Sequence, residues 1–375
     1  LHFVKDKFGG AILGHGADLD KIKREYGISG PIIDFSSNIN PIIPHGLDEI
    51  ILENIGSIRV YPDIEYMDLR RAIGSHVGGM GPENICVGNG ATELIFLFMK
   101  LIRGSLAIIG PTFSEYARAA RLAGLDYRLI NMVARDGTFE LEGFEDLDKM
   151  GDLEAIVVCN PNNPDGALRK LDGLVDYCRS RSVKVLVDET FIEFCQDYEA
   201  YTSLNYDYKD IFILRAMTKF YGMPGLRMGY ILSENKDFID KLYSIKEPWT
   251  VNSMAEKITI EVLKREAESK YLFATNTRLA YKKERDYLLD RLGKIKGIKT
   301  YKTDTAFILI EIGEETGYTS ASLKDTLVRD YSILIRDASN FDGLGASFVR
   351  VAIKDRKSNE ILIGALFSVF GGENL

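Results

Sequence analysis

The chain has 375 residues, enough for two or three domains, and its 46% hydrophobic and 27% charged residues are ordinary for a soluble globular protein. A net charge of −8 with no Lys/Arg-rich block argues against nucleic acid as a partner. No apolar stretch reaches membrane-spanning length, so no membrane partner is expected.

The opening "LHFVKDKFGG" has neither the apolar core of a signal peptide nor a starting methionine, so a trimmed start and a cytoplasmic location are expected. Residues 1–45 lack a strong period and are expected to form an N-terminal arm that packs on a smaller domain. From about 83 to 233, short apolar runs alternate with helix-length segments. The runs are "NICVGNG" (84–90), "SLAIIGP" (105–111), "AIVVCNP" (155–161), "VKVLVDE" (183–189), "DIFILRA" (210–216) and "RMGYILS" (227–233). Such β-branched runs, ending in turn residues, predict buried strands of a mostly parallel sheet between helices, in a large domain over 46–252. One long helical stretch is expected around 253–292. The runs "TAFILIEI" (305–312), "SILIRDA" (332–338) and "SFVRVAIK" (347–354) follow, with helical patterns near 320–331 and 358–370. These describe a smaller C-terminal α/β domain over 253–375, so the fold class is α/β.

The four cysteines, Cys86, Cys159, Cys178 and Cys195, have no CxxC spacing and read as reduced core thiols. The four histidines, His2, His15, His45 and His76, have no metal-ligand spacing, so no metal is expected.

In a parallel sheet, ligands bind beyond the carboxyl ends of the strands, where Asn89, Pro111, Asn160, Asp188 and Thr218 collect. "GNGATE" (88–93) opens a helix, and its backbone N–H groups at Gly90, Ala91 and Thr92 suit a phosphate. Alone it is equally a plain strand–helix turn. "NPNNPDG" (160–166) reads by itself as a turn, and Asp188 in "VLVDETF" as a helix N-cap. Lys219 in "MTKFYGMPGLR" could be an exposed loop lysine, but its neighbours are apolar and it follows a buried strand. Taken together, the four stretches suit pyridoxal phosphate: Lys219 as the Schiff-base lysine, Asp188 as partner of the pyridine nitrogen, Asn163 as donor to the phenolic oxygen and Arg227 as phosphate anchor.

The order GNGATE, PTF, NPNNPDG, VDETF, TKFYGMPGLR, RVAIK resembles the fold-type I, aspartate aminotransferase-like enzymes that use pyridoxal phosphate, and within them the histidinol-phosphate aminotransferase branch. "GHGAD" (14–18), "DFSSNINP" (34–41), "VYPD" (60–63), "PWTVN" (248–252) and "ILIRDASNFDGLGASFVRVAIK" (333–354) are similar to the L-threonine-O-3-phosphate decarboxylases of cobalamin biosynthesis. The resemblance implies a large domain with a mostly parallel sheet, a smaller C-terminal domain and a homodimer with shared active sites. It implies catalytic roles for Lys219 and Asp188. Cofactor contacts are implied for Gly90, Ala91, Thr92, Phe113 (stacked on the ring), Asn163, Thr218, Arg227 and, from a second subunit, Tyr61. Arg336 and Arg350 match the pair that clamps a substrate's own phosphate, and His15, Asn38 and Asn163 line the substrate site. Phe191 stands where the aminotransferases carry a tyrosine, and Ala216 where many relatives carry a hydroxyl residue. The expected reaction is decarboxylation of L-threonine O-3-phosphate to (R)-1-amino-2-propanol O-2-phosphate, with serine phosphate as a further candidate. Histidinol-phosphate transamination is the alternative.

Overall fold

The computed structural model describes residues 19–371. Helix α1 (Leu19–Tyr26), strand β1 (Ile33–Asp34), α2 (Leu47–Asn54) and α3 (Met67–His76) come first. Next are β2 (Ile85–Asn89), α4 (Gly90–Leu101), β3 (Ser105–Gly110), α5 (Glu115–Leu122) and β4 (Tyr127–Asn131). A hairpin of β5 (Val133–Arg135) and β6 (Thr138–Glu140) leads to α6 (Glu145–Asp148), β7 (Leu153–Cys159), α7 (Asp172–Arg181) and β8 (Lys184–Asp188). The strands β9 (Ile211–Ala216) and β10 (Met228–Leu232) precede α8 (Lys236–Ile245), α9 (Ser253–Glu268) and α10 (Leu272–Leu292). The last elements are β11 (Ile298–Thr300), β12 (Phe307–Ile312), α11 (Ser320–Tyr331), β13 (Ile333–Leu334), β14 (Arg336–Asp337), β15 (Phe348–Ala352) and α12 (Arg356–Phe370).

Seven strands form the main sheet in the order β2-β10-β9-β8-β7-β3-β4. The run from β9 to β4 is parallel, whereas β10 is antiparallel to both β2 and β9. Both faces are covered. Val185 and Val187 of β8 enter one core and Leu186 the other, and on β7 Ile156 and Val158 oppose Ala155 and Val157 in the same way. A strand buried on both sides has no polar face to alternate with, so it reads as a continuous apolar run. Burying each such side chain contributes about 1.5–3 kcal/mol. The six apolar runs all lie in this sheet. The seventh strand, β4, is an edge strand with exposed Arg128 and Asn131, which breaks the apolar pattern.

A second sheet, β11-β12-β15-β14, is antiparallel, and β1 pairs with β13 in parallel. Ile22 of α1 packs on Val328 and Leu334, so residues 19–34 lie against α11 and β13. The stretch 253–292 is two helices rather than one. Lys270 and Tyr271 take left-handed φ of 55° and 59° and turn the chain between α9 and α10. The Glu266 carboxylate accepts the Ala274 N–H at 3.2 Å, which satisfies a donor in the first turn of α10. Among the described residues no helix is long and apolar enough to cross a membrane, and the four cysteines are buried free thiols.

Candidate active site

Beyond the carboxyl ends of the parallel strands lies a cavity of about 410 Å³. It is lined by Asn38, Ala91, Thr92, Phe113, Asn163, Asp188, Thr218, Lys219, Arg227, Arg336 and Arg350, together with Ser36, Tyr116, Cys159, Phe191 and Asn340. Residues more than 300 positions apart thus share one wall.

Lys219 follows the buried strand β9, in a loop tied to the N-terminal segment. Its carbonyl accepts the N–H groups of Asn40 at 3.1 Å and Gly222 at 3.3 Å, and the Asn40 amide donates to the Phe220 carbonyl at 2.7 Å. The amine faces the cavity. Burial, then the cations Arg350 and Arg227, pull its pKa down to about 8 against the attraction of Asp188. Near neutral pH a useful fraction is therefore the uncharged nucleophile.

Asp188 ends β8 with a donor on each oxygen. The Thr190 N–H donates to Oδ1 at 2.9 Å and the Tyr116 hydroxyl donates to Oδ2 at 2.5 Å. Burial raises the carboxyl above its ordinary range, and these hydrogen bonds oppose the rise.

The antiparallel return of β10 brings Arg227 to the start of α4. Met228 pairs with Asn89, so the residue before one strand meets the residue after the other. Gly90 has φ of +74°, and a Cβ there would stand 2.7 Å from an Arg227 guanidinium nitrogen. Arg227 is itself left-handed, with φ of 56°. A guanidinium beside the N-terminus of a twelve-residue helix makes an anion cradle. Gly90 backs this cradle without lining the cavity.

The "NPNNPDG" turn is stapled in place. The Asn162 amide donates to the Pro111 carbonyl at 2.9 Å and to Asp165 Oδ1 at 2.8 Å, while the Gly166 N–H donates to the Asn162 carbonyl at 2.6 Å. Asn163 then faces Arg350, which donates to its Oδ1 and, through Nη2, to the Ser36 carbonyl at 3.0 Å. The amide NH2 is the donor end that Asn163 has left. Among the described residues, the buried Arg350 Nε and Asn38 Oδ1 have no hydrogen-bond partner. Arg336 stands directly opposite Arg350 in the β14–β15 ladder and donates to Asn340 Oδ1 at 2.7 Å. Neither arginine is ion-paired with a carboxylate among the described residues.

Besides Gly90, one expected residue among those described, Tyr61, is not in the cavity wall. Tyr61 is 79% exposed, with its ring 4.9 Å from that of Trp249, and His15 lies outside the described residues. Tyr116 and Asn340 are site residues that motif reading passed over. Tyr116 follows Phe113 by three positions, one helical turn, which is the spacing that could have drawn attention to it. Among the described residues no group of His, Cys, Asp or Glu could hold a metal ion.

Pyridoxal phosphate fits this set of groups: an amine near its reactive state, a buried carboxylate held by donors, an aromatic wall at Phe113 and an anion cradle at Gly90 and Arg227. Residues 31–366 match the family described as aminotransferase class I and II. A protein of Caldanaerobacter subterraneus subsp. tengcongensis, provisionally named threonine-phosphate decarboxylase, is 38% identical over 89% of both chains. The threonine-phosphate decarboxylase of Salmonella typhimurium is 30% identical over 96% of this chain and 97% of its own. The crystal structure of the histidinol-phosphate aminotransferase from Clostridium acetobutylicum has a TM-score of 0.82 and 32% identity, covering 91% of this chain and 99% of that one. The cavity thus sits in an enzyme of known ancestry: the chain belongs to the class I and II aminotransferase family, has its fold-type I architecture and uses its cofactor, pyridoxal phosphate.

Proposed function

We propose that the protein decarboxylates L-threonine O-3-phosphate to (R)-1-amino-2-propanol O-2-phosphate in cobalamin biosynthesis. The observation that supports a phosphorylated substrate is the pairing of Arg336 with Arg350, and the choice of decarboxylation rests on the likeness to the threonine-phosphate decarboxylases. Like charges directly opposite one another destabilise a ladder, and among the described residues neither guanidinium is hydrogen-bonded to a carboxylate. A phosphate accepts hydrogen bonds from both guanidiniums and removes the repulsion. The cavity then has two anion seats, one at Gly90 and Arg227 for the cofactor and one at Arg336 and Arg350 for the substrate.

When bound, pyridoxal phosphate supplies an aldehyde for the substrate's amine and a ring that draws electrons from its Cα. Lys219 would hold the cofactor, and its Nζ would supply the proton that takes the place of CO2 on Cα. Asp188 would balance the positive ring nitrogen, Asn163 would donate to the phenolic oxygen and Phe113 would stack on the ring. Ala91, Thr92 and Thr218 join Gly90 and Arg227 at the cofactor phosphate. Asn38, with its unpartnered Oδ1, and His15 serve the substrate end. The phosphate clamp fixes how the substrate is turned about Cα, and only the bond aligned with the ring's π system breaks readily. A rotamer preference of about 1.36 kcal/mol changes the ratio of two such rates tenfold.

The exposed apolar side chains of Leu52, Ile55, Ile58, Val60, Tyr61 and Ile64 form a surface suited to a second copy of the chain. In that homodimer Tyr61 reaches the partner's cofactor.

Histidinol-phosphate transamination is the second reading, favoured by the likeness to the Clostridium acetobutylicum enzyme. Incubation of the holoenzyme with threonine phosphate and, separately, serine phosphate should release CO2. Glutamate-dependent conversion of imidazole-acetol phosphate with no CO2 from either would overturn the decarboxylase reading.

A further inference from the structure

Tyr116 has no role in the chemistry above, yet it is fully buried and lines the cavity. Its ring stands edge-on to Phe113, with centroids 5.7 Å apart and planes at 86°, which aims the hydroxyl at Asp188. The resulting 2.5 Å hydrogen bond serves Asp188 Oδ2, the Thr190 N–H serves Oδ1 at 2.9 Å, and the Thr190 side chain is a weaker donor to the same carboxylate. The other titratable groups around Asp188 are few. Cys159 is its register partner on β7, and the thiol donates to the Pro161 carbonyl at 3.3 Å. Glu189 is bound up with Arg215 at 2.8 Å, and Lys219 approaches from the loop after β9. Burial drives a carboxyl toward its neutral acid, and donors on both oxygens hold it ionised.

We propose that Tyr116 is a positioning residue whose hydroxyl keeps Asp188 a carboxylate, so that the one proton shared by Asp188 and the cofactor's ring nitrogen resides on nitrogen. The transfer is balanced. Without the hydroxyl, Asp188 becomes the stronger base, the N–H bond breaks, an O–H bond forms on Asp188 and the ring is left neutral. A neutral ring draws fewer electrons from Cα and from the linkage to Lys219. The inference concerns the cofactor and holds whichever phosphorylated substrate is used.

The test is Tyr116→Phe, which removes one oxygen and keeps the ring. In cofactor titrations of the apoenzyme we expect affinity to fall about tenfold to a hundredfold, the loss typical of a hydrogen bond to a charged group. In the holoenzyme the pH midpoint of the cofactor's visible absorption band should rise by about half a unit to one unit. Both effects should vanish when Tyr116→Phe is made in an Asp188→Asn background. An unmoved midpoint, or an equal affinity loss in the Asp188→Asn background, would overturn the proposal, because a merely structural hydroxyl behaves that way. Should Tyr116→Phe not fold, 3-fluorotyrosine incorporated at position 116 is a stronger donor and should move the midpoint down; no movement is again the refuting result. No amino-acid substrate enters these measurements, so an error in the substrate assignment cannot mimic their failure.

Discussion

Lys219→Met in the cofactor-free protein tests whether the amine is a suppressed buried base. The ordinary lysine pKa of 10.5 falls to about 8 in the folded chain. At about 1.36 kcal/mol per unit, the difference of roughly 2.5 units makes the charged amine cost about 3 kcal/mol at neutral pH. Water in the cavity screens this to about 2–3 kcal/mol. Methionine keeps the length of the side chain and carries no charge, so the variant apoenzyme should be more stable at pH 7 by about that amount. With about 2.1 cal/mol/K of unfolding entropy per residue, this corresponds to a Tm increase of about 3–4 °C. The pH dependence has a definite sign. Between about 8 and 10.5 the unfolded chain holds a proton on Lys219 that the folded chain has released. Wild-type stability therefore rises with pH across that window, and the advantage of the variant shrinks to nothing. Calorimetry of both apoenzymes from pH 7 to 10.5 measures this. A variant no more stable than wild type at pH 7, or a gap that stays constant up to pH 10.5, would refute the reasoning.

Gly90→Ala places a Cβ against Arg227 at a positive φ, and pyridoxal phosphate affinity should fall about tenfold to a hundredfold in an apoenzyme titration. Arg336→Met should raise KM for threonine phosphate by about tenfold to a hundredfold and leave cofactor affinity unchanged, since Arg336 lies at the other anion seat. Ile58→Asp puts a charge on the exposed apolar surface; sedimentation should report monomers, with activity lost if Tyr61 serves the partner's cavity.

The central strands were legible because burial on both faces makes β7, β8 and β9 largely apolar, and the polar residues at their carboxyl ends mark the cavity mouth. The edge strand β4 and the exposed hairpin of β5 and β6 carry mixed patterns that resemble loops. The break between α9 and α10 was hidden because Ser269, Lys270 and Tyr271 are all tolerated in helices, and the left-handed turn follows from packing. Lys219, Asn163 and Arg227 stand in recognisable turns, and Asp188 at the end of an apolar strand. Tyr116 lies inside the short helix α5, where a buried aromatic reads as core, and only the folded distance to Asp188 reveals its hydrogen bond. The opposed placement of Arg336 and Arg350 likewise depends on a register that neither strand's sequence states.

Among the described residues, the strand β2 sits at the margin of the main sheet, with β10 as its sole ladder neighbour. The phosphate seat spans the first turn after β2 and the residue before β10, so an occupant fastens that margin as a rivet fastens a seam. At a hundred times its dissociation constant such a ligand contributes about 2.7 kcal/mol to the folded state. Vitamin B6 supply and the integrity of the sheet's outermost pair are accordingly linked, and amide exchange in Ile85–Asn89 should slow when the cofactor is added.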